Sequence, residues 1–194
     1  MGDLMSIFLK AMLIDNVVFI QFLALCPFIG MTADTGKAIG MGFATSFVMV
    51  LATAVTYPLF MYVLQPLGLE FLDTLLFILV IASLVQLVEF YLKNSSPALY
   101  SSMGVYLALI TTNCAILAVT LNAISVKTAY NYGEALIYSL GAAAGFLLAM
   151  VLMAGIRERI KTADVPQFMK GTPILFVAAG LVSVAFGGFA GMIK

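Results

Sequence analysis

Leu107-Ala-Leu-Ile-Thr-Thr-Asn-Cys-Ala-Ile-Leu-Ala-Val119 sets Thr111, Thr112, Asn113 and Cys114 in the middle of an apolar run that extends from Pro97 to Val126. A helix needs about 20 mostly apolar residues to cross the hydrocarbon of a bilayer, so this run reads as a membrane segment. Polar groups in hydrocarbon must find partners within the protein, and a cluster of them is tolerated chiefly where it lines a site or a cavity. The other cysteine, Cys26, stands in a second apolar run, Leu4 to Met31, which also carries Asp15 and Asn16. Two long hydrophobic segments, each interrupted by polar residues and each holding one cysteine, decide the fold.

The rest of the composition agrees. The 194 residues are 63% hydrophobic and 9% charged, with a mean hydropathy of +1.14. Soluble domains carry about 25% charged residues, so the chain reads as an all-α integral membrane protein. Its length accommodates about six transmembrane segments in one membrane domain, residues 1–194. Nine basic and nine acidic residues cancel, which leaves no nucleic-acid footprint. The absence of histidine excludes Ser-His catalysis and the usual metal-hydrolase ligand sets within this chain. Cysteines confined to membrane runs do not make a secreted disulfide framework. Lys10 precedes an apolar stretch, but Asp15 and Asn16 interrupt it and no small-residue cleavage site follows, so no signal peptide is expected.

In chain order, the first segment, Leu4 to Met31, is predicted to be a discontinuous helix. Its break is expected near Asp15-Asn16 or near Leu25-Cys26-Pro27, because proline disfavours helix at the residue before it. Segment two runs from Ala38 to Leu64 with a kink expected at Pro58, and segment three from Phe71 to Leu92. Segment four is the opening stretch and is also predicted to be discontinuous. Segment five covers Ala135 to Ile156, and segment six Pro173 to Ile193. Gly36-x-x-x-Gly40, Gly141-x-x-x-Gly145 and Gly187-x-x-x-Gly191 read as close-packing faces.

Charge sets the expected orientation. Lys37, Lys93, Arg157, Arg159, Lys161 and Lys170 fall in the connections after segments one, three and five. Basic connections stay cytoplasmic, so both termini are expected on the non-cytoplasmic side. Segments one and four then enter from opposite faces. That is the layout of an inverted 3+3 repeat with halves at about 1–93 and 97–194, whose site lies where the paired broken helices meet.

Each candidate residue has competing readings. Cys26 and Cys114 are either buried packing residues or half of a ligand set, since an iron–sulfur cluster or an all-thiolate zinc site takes four cysteines. A second chain with two cysteines would complete either set. Asp15 is an intramembrane carboxylate, and so a functional candidate, or else the N-cap of a half-helix. Asn16, Thr112 and Asn113 are supporting candidates beside it. The Arg157-Glu158-Arg159 run anchors topology or docks a soluble partner.

Leu25-Cys26-Pro27-Phe28, Leu109-Ile-Thr-Thr-Asn-Cys-Ala115, Ile156-Arg-Glu-Arg159 and Ala163-Asp-Val-Pro166 resemble the family formed by the A component of the Rnf electron-transport complex. The similarity runs over nearly the whole chain. The E component of the sodium-pumping NADH:quinone oxidoreductase looks similar, but there the residues matching Pro27 and Thr112 usually differ. The resemblance implies a bacterial inner-membrane complex that moves electrons between ferredoxin and NAD while translocating sodium ions or protons. It implies a [2Fe-2S] cluster with Cys26 and Cys114 as two ligands and the other two from the homologous, inverted E component of the Rnf complex. Its B, C, D and G components and membrane lipid are the other implied partners, and the chain is expected to be part of an enzyme without being catalytic alone. The competing class is an inverted-repeat secondary transporter with its site at Asp15, Asn16, Thr112 and Asn113. A membrane scaffold is the third.

Overall fold

The computed structural model describes residues 2–64, 66, 72–95, 109–124, 131–164, 166 and 169–189. The described residues are mostly helical and contain no strand. Helix α1 covers Gly2–Leu9 and continues as a π-helical turn, Lys10–Ile14. After an irregular stretch, α2 covers Leu25–Met31 and α3 Thr35–Leu59, the latter followed by a second π turn, Phe60–Leu64. Then come α4 (Asp73–Ser95), α5 (Cys114–Ile124), α6 (Tyr132–Thr162) and α7 (Thr172–Phe189).

Among the described residues, two helices are long and apolar enough to cross a membrane, Thr35–Leu64 and Tyr132–Thr162. The apolar helices at Leu4–Ile14, Thr74–Phe90, Leu109–Ile124 and Thr172–Gly188 are shorter. The start of segment four, residues 97–108, lies outside the described residues, as do Lys127, Gly191 and Lys194.

Local chemistry explains the helix ends. Asp34 caps α3, its Oδ1 accepting from the Gly36 amide at 3.1 Å, and it pairs with Lys37 at 3.6 Å. At the start of α6, Glu134 reaches back to accept from the Asn131 amide at 3.0 Å, half of a capping box. Pro58 lies inside the helical span, just ahead of the π turn, where its missing N–H removes one bond of the ladder and the helix changes from α to π within two residues. Pro27 does not stop a helix at Cys26. It sits third in α2, where an amide has no intrahelical acceptor, so the helix includes both residues.

Helix α6 is the packing axis. Its buried face holds Ala142, Phe146, Ala149 and Met150. On one side it meets α3, where Ser46 Oγ donates to the Ala143 carbonyl at 3.1 Å and Gly42 lies against Leu147. On the other side Gly141 and Gly145 let the first segment approach backbone to backbone. A Cβ added at Gly141 would lie 2.7 Å from the Phe8 carbonyl oxygen, and one at Gly145 2.8 Å from that of Met12. The expected close-packing face is therefore real at this pair.

The basic end of α6 is tied to the first connection. Arg157 Nη1 donates to the Ile29 carbonyl at 2.7 Å and to Thr32 Oγ1 at 3.1 Å, and Lys161 Nζ donates to the Ala33 carbonyl at 2.7 Å. These cations satisfy carbonyls at the C-terminal end of α2. The connections after segments one and five thus lie at the same end of the molecule.

Because the glycine contacts leave no room for a side chain, Gly145→Ala should destabilise the protein by about 1–3 kcal/mol. Gly180→Ala, inside α7 where a Cβ meets nothing within 4 Å, should leave stability unchanged or raise it by up to about 1 kcal/mol. Thermal unfolding of the two variants in detergent is the measurement, and equal midpoints would contradict the close approach.

Candidate functional site

The chain leaves the helical path after Ile14 and does not regain it until Leu25. Irregular backbone inside a membrane protein requires internal partners for its polar groups, and Asn16 supplies them. Its Oδ1 accepts from the amides of Val18 and Phe19 at 3.1 and 3.3 Å. Its Nδ2 donates to the carbonyls of Met12 and Gly145 at 3.2 and 3.1 Å. A carboxamide has two acceptor sites and two donors, so Asn16, fully buried, is saturated by its own chain.

Packing holds the rest of the stretch in place. Phe19 is buried with its ring centroid 6.0 Å from that of Phe28 and 4.9 Å from that of Phe186, and Ser183 Oγ donates to the Phe19 carbonyl. Two non-glycine residues here are left-handed, Phe22 at φ 53° and Ala24 at φ 59°. Such a conformation costs about 1–2 kcal/mol per residue and persists only where the surroundings dictate it.

The second interruption is shorter. Residues 109–111 are helical, Thr112 turns, and Asn113 leaves the helix before α5 begins at Cys114. Asn113 caps α5, its Oδ1 accepting from the Ala115 amide at 3.1 Å. That bond fixes which amide atom is oxygen, and the Nδ2 that remains is buried without a hydrogen-bond partner among the described residues.

One contact joins the two interruptions. The Ala24 amide donates to Cys114 Sγ at 2.9 Å. Cys26 is only two residues beyond Ala24, so its Cα lies within about 7.6 Å of the Ala24 Cα. Both cysteines stand in the first turn of a helix, Cys26 second in α2 and Cys114 first in α5. Both are exposed and neither forms a disulfide. A free cysteine is ordinarily among the most buried of residues, whereas these two are exposed on helix starts that the Ala24–Cys114 contact joins.

The structure therefore brings together Cys26, Cys114 and Asn113, with Thr112 at the turn before them. Asp15 and Asn16 begin the same irregular stretch but serve another purpose. Asp15 closes the C-terminal end of the π turn, its amide donating to the Lys10 carbonyl at 2.9 Å, so it is not the N-cap of a half-helix. Ala24 is the site residue that sequence reasoning missed. Its contribution is a backbone N–H, which every residue but proline carries and which leaves no mark in the sequence.

Among the described residues no group of three or more His, Cys, Asp or Glu side chains could hold a metal ion. The donor set that is present, two soft thiols on adjacent helix starts, matches half of a thiolate site. Helices and site together define a helical membrane protein that presents a pair of thiols on its surface.

The chain belongs to the Rnf–Nqr subunit family of membrane proteins, whose sequence pattern matches residues 4–193. It is 50% identical over 189 residues, 97% of each chain, to a protein of Acetobacterium woodii named as the A component of a Na(+)-translocating ferredoxin:NAD(+) oxidoreductase complex. It is 46% identical to the A component of the ion-translocating oxidoreductase complex of Syntrophotalea carbinolica, covering 100% of this chain and 99% of that one. The corresponding A component of Aeromonas salmonicida is 47% identical over the full length of both. The resemblance to the Rnf A component read from the cysteine and Arg-Glu-Arg motifs is thus borne out.

Proposed function

We propose that this chain is the A component of an ion-translocating ferredoxin:NAD+ oxidoreductase, and that Cys26 and Cys114 are its two ligands to a [2Fe-2S] cluster. The observation that carries this reading is the Ala24 N–H···Sγ contact between two exposed, cysteine-bearing helix starts. The remaining ligands come from the homologous E component, inserted in the opposite direction, with the B, C, D and G components as further partners. When bound, such a cluster supplies a one-electron carrier within the membrane.

The chain's own residues account for the rest. Asn16 and Gly145 hold the first interruption open, and Phe19 packs it against α7 and α2. The Ala24 amide fixes the position of Cys114 Sγ, and the first turn of α5 favours the negative charge of a thiolate ligand. Asn113 keeps a buried donor beside Cys114, of the kind that orients ligands and tunes a metal centre. In the same irregular stretch Ile20 and Phe22 are 39% and 47% exposed, an apolar surface for a neighbouring protein next to the thiols.

The transporter reading places a substrate at Asp15, Asn16, Thr112 and Asn113. The four internal hydrogen bonds of Asn16 speak against it, because they leave that carboxamide nothing to offer a ligand.

The six-span inverted repeat, with discontinuous segments one and four, belongs to this proposal. So does the orientation, with the Arg157–Lys170 connection cytoplasmic and both termini outside. The shared end of the first and fifth connections supports it. A reporter that is active only in the cytoplasm should be silent when fused after Lys194, and an active fusion would reverse the orientation.

Cys26→Ser or Cys114→Ser, in the assembled complex, should abolish the cluster's EPR signal and ferredoxin-to-NAD electron transfer together. Combining the two should add nothing, since one missing ligand already disables the site. Asn113→Ala should keep a signal but lower cluster occupancy or turnover about tenfold. A normal signal and full turnover in both serine variants would make the cysteines packing residues.

A further inference from the structure

Where α6 ends and α7 begins there is a cavity of about 380 Å³ that plays no part in the cysteine site. Arg157, Lys161 and Lys170 line it together with Ile160, Ile174 and Leu175. Two of the cations are held in place yet keep donors free. Arg157 uses one guanidinium nitrogen on Ile29 and Thr32, and Lys161 gives one hydrogen bond to Ala33, out of five and three N–H groups respectively. Lys170 makes no ion pair among the described residues. Glu158, the acid between the two arginines, accepts from Thr35 at 3.3 Å and does not line the cavity. Gly171, at φ +101°, also lines it and leads directly into α7, so the positive end of that helix adds to the field.

A shallow, open depression of about 550 Å³ shares Ile160 and Ala163 with the first cavity and continues along α6 past Val151, Leu152, Gly155 and Ile156. From Ile160 back to Val151 the helix rises about 13 Å, close to the depth of one leaflet of a bilayer core about 30 Å thick. The walls are apolar apart from Arg159. Gly155 opens the depression, since a Cβ built there meets nothing within 4 Å.

We propose that the cavity and depression together bind one anionic phospholipid, its phosphate among Arg157, Lys161 and Lys170 and an acyl chain along residues 151–156. A soluble anion would satisfy the cations but leave the depression empty. A zwitterionic lipid would fill the depression but leave the excess of cations unmatched. Basic pockets between membrane helices are where acidic headgroups are held. Because Arg157 also grips Ile29 and Thr32, the lipid braces the far end of α2, the helix that carries Cys26. The lipid site needs only the membrane location and does not depend on the cluster.

The test uses the full chain purified with the proteins that accompany it and a photoactivatable phosphatidylglycerol. Label should map to residues 151–175. Unlabelled phosphatidylglycerol should displace it, while phosphatidylcholine and inorganic phosphate should not. Lys170→Gln should lower labelling about fivefold, the effect of one basic residue at an anionic lipid surface. Gly155→Trp, which fills the depression, should abolish labelling with the composition of the complex unchanged. Displacement by phosphatidylcholine or by phosphate, or full labelling of either variant, would overturn the proposal. So would loss of an accompanying protein in Gly155→Trp, which would show that a protein covers the depression.

Discussion

The hydrogen bond from Asn16 Nδ2 to the Gly145 carbonyl, 3.1 Å long and fully buried, is the contact on which the rest of the structure depends. Leaving a helix within hydrocarbon strands backbone donors and acceptors, each costing several kcal/mol if unmet. Asn16 meets this demand at one point: its oxygen accepts from the two amides that follow it, and its nitrogen donates to the Met12 carbonyl before it and to the Gly145 carbonyl of α6. Gly145 makes the arrangement possible, because any larger residue would collide with Met12 and press on Asn16 itself. The consequence is transmitted along the chain. With the stretch anchored at Asn16 and packed at Phe19, the chain re-enters helix at Leu25 with Ala24 directed at Cys114.

The two interruptions follow one plan. Each ends in a helix whose first turn carries a cysteine, and in each an asparagine accepts the hydrogen bonds of the amides after it. They differ in what the asparagine has left. Asn16 is saturated, whereas Asn113 retains a buried donor. The first is a structural fixture, and the second stands beside the chemistry. Among the described residues the left-handed non-glycine positions, Phe22 and Ala24, both fall in the first interruption, on the approach to Cys26.

Much of this was legible in the sequence. The apolar runs announced membrane helices, Thr112-Asn113-Cys114 marked an interruption, and Gly141 and Gly145 marked a close approach. The extent of the first interruption was not legible. Asp15-Asn16 and Cys26-Pro27 each suggested a break, and the structure makes them the two flanks of one irregular stretch, 15–24, with Pro27 beyond it inside α2. A proline in the first turn removes an amide that had no intrahelical partner, so its usual reading as a stop did not apply. Asp15 and Asn16 looked equivalent as polar intruders, but only the carboxamide has both donors and acceptors, and only it bridges to α6. The Ala24–Cys114 contact, made by main chain across 90 residues, has no sequence signature at all.

The central claim is that Cys26 and Cys114 act as one pair toward a cluster outside their own chain. Alkylation of these two thiols in the assembled complex, read by mass spectrometry before and after iron is removed by chelation, tests it most directly. Both cysteines should resist the reagent while iron is present and become reactive together when it is withdrawn. Rapid alkylation of either one in the intact, iron-containing complex would contradict the account.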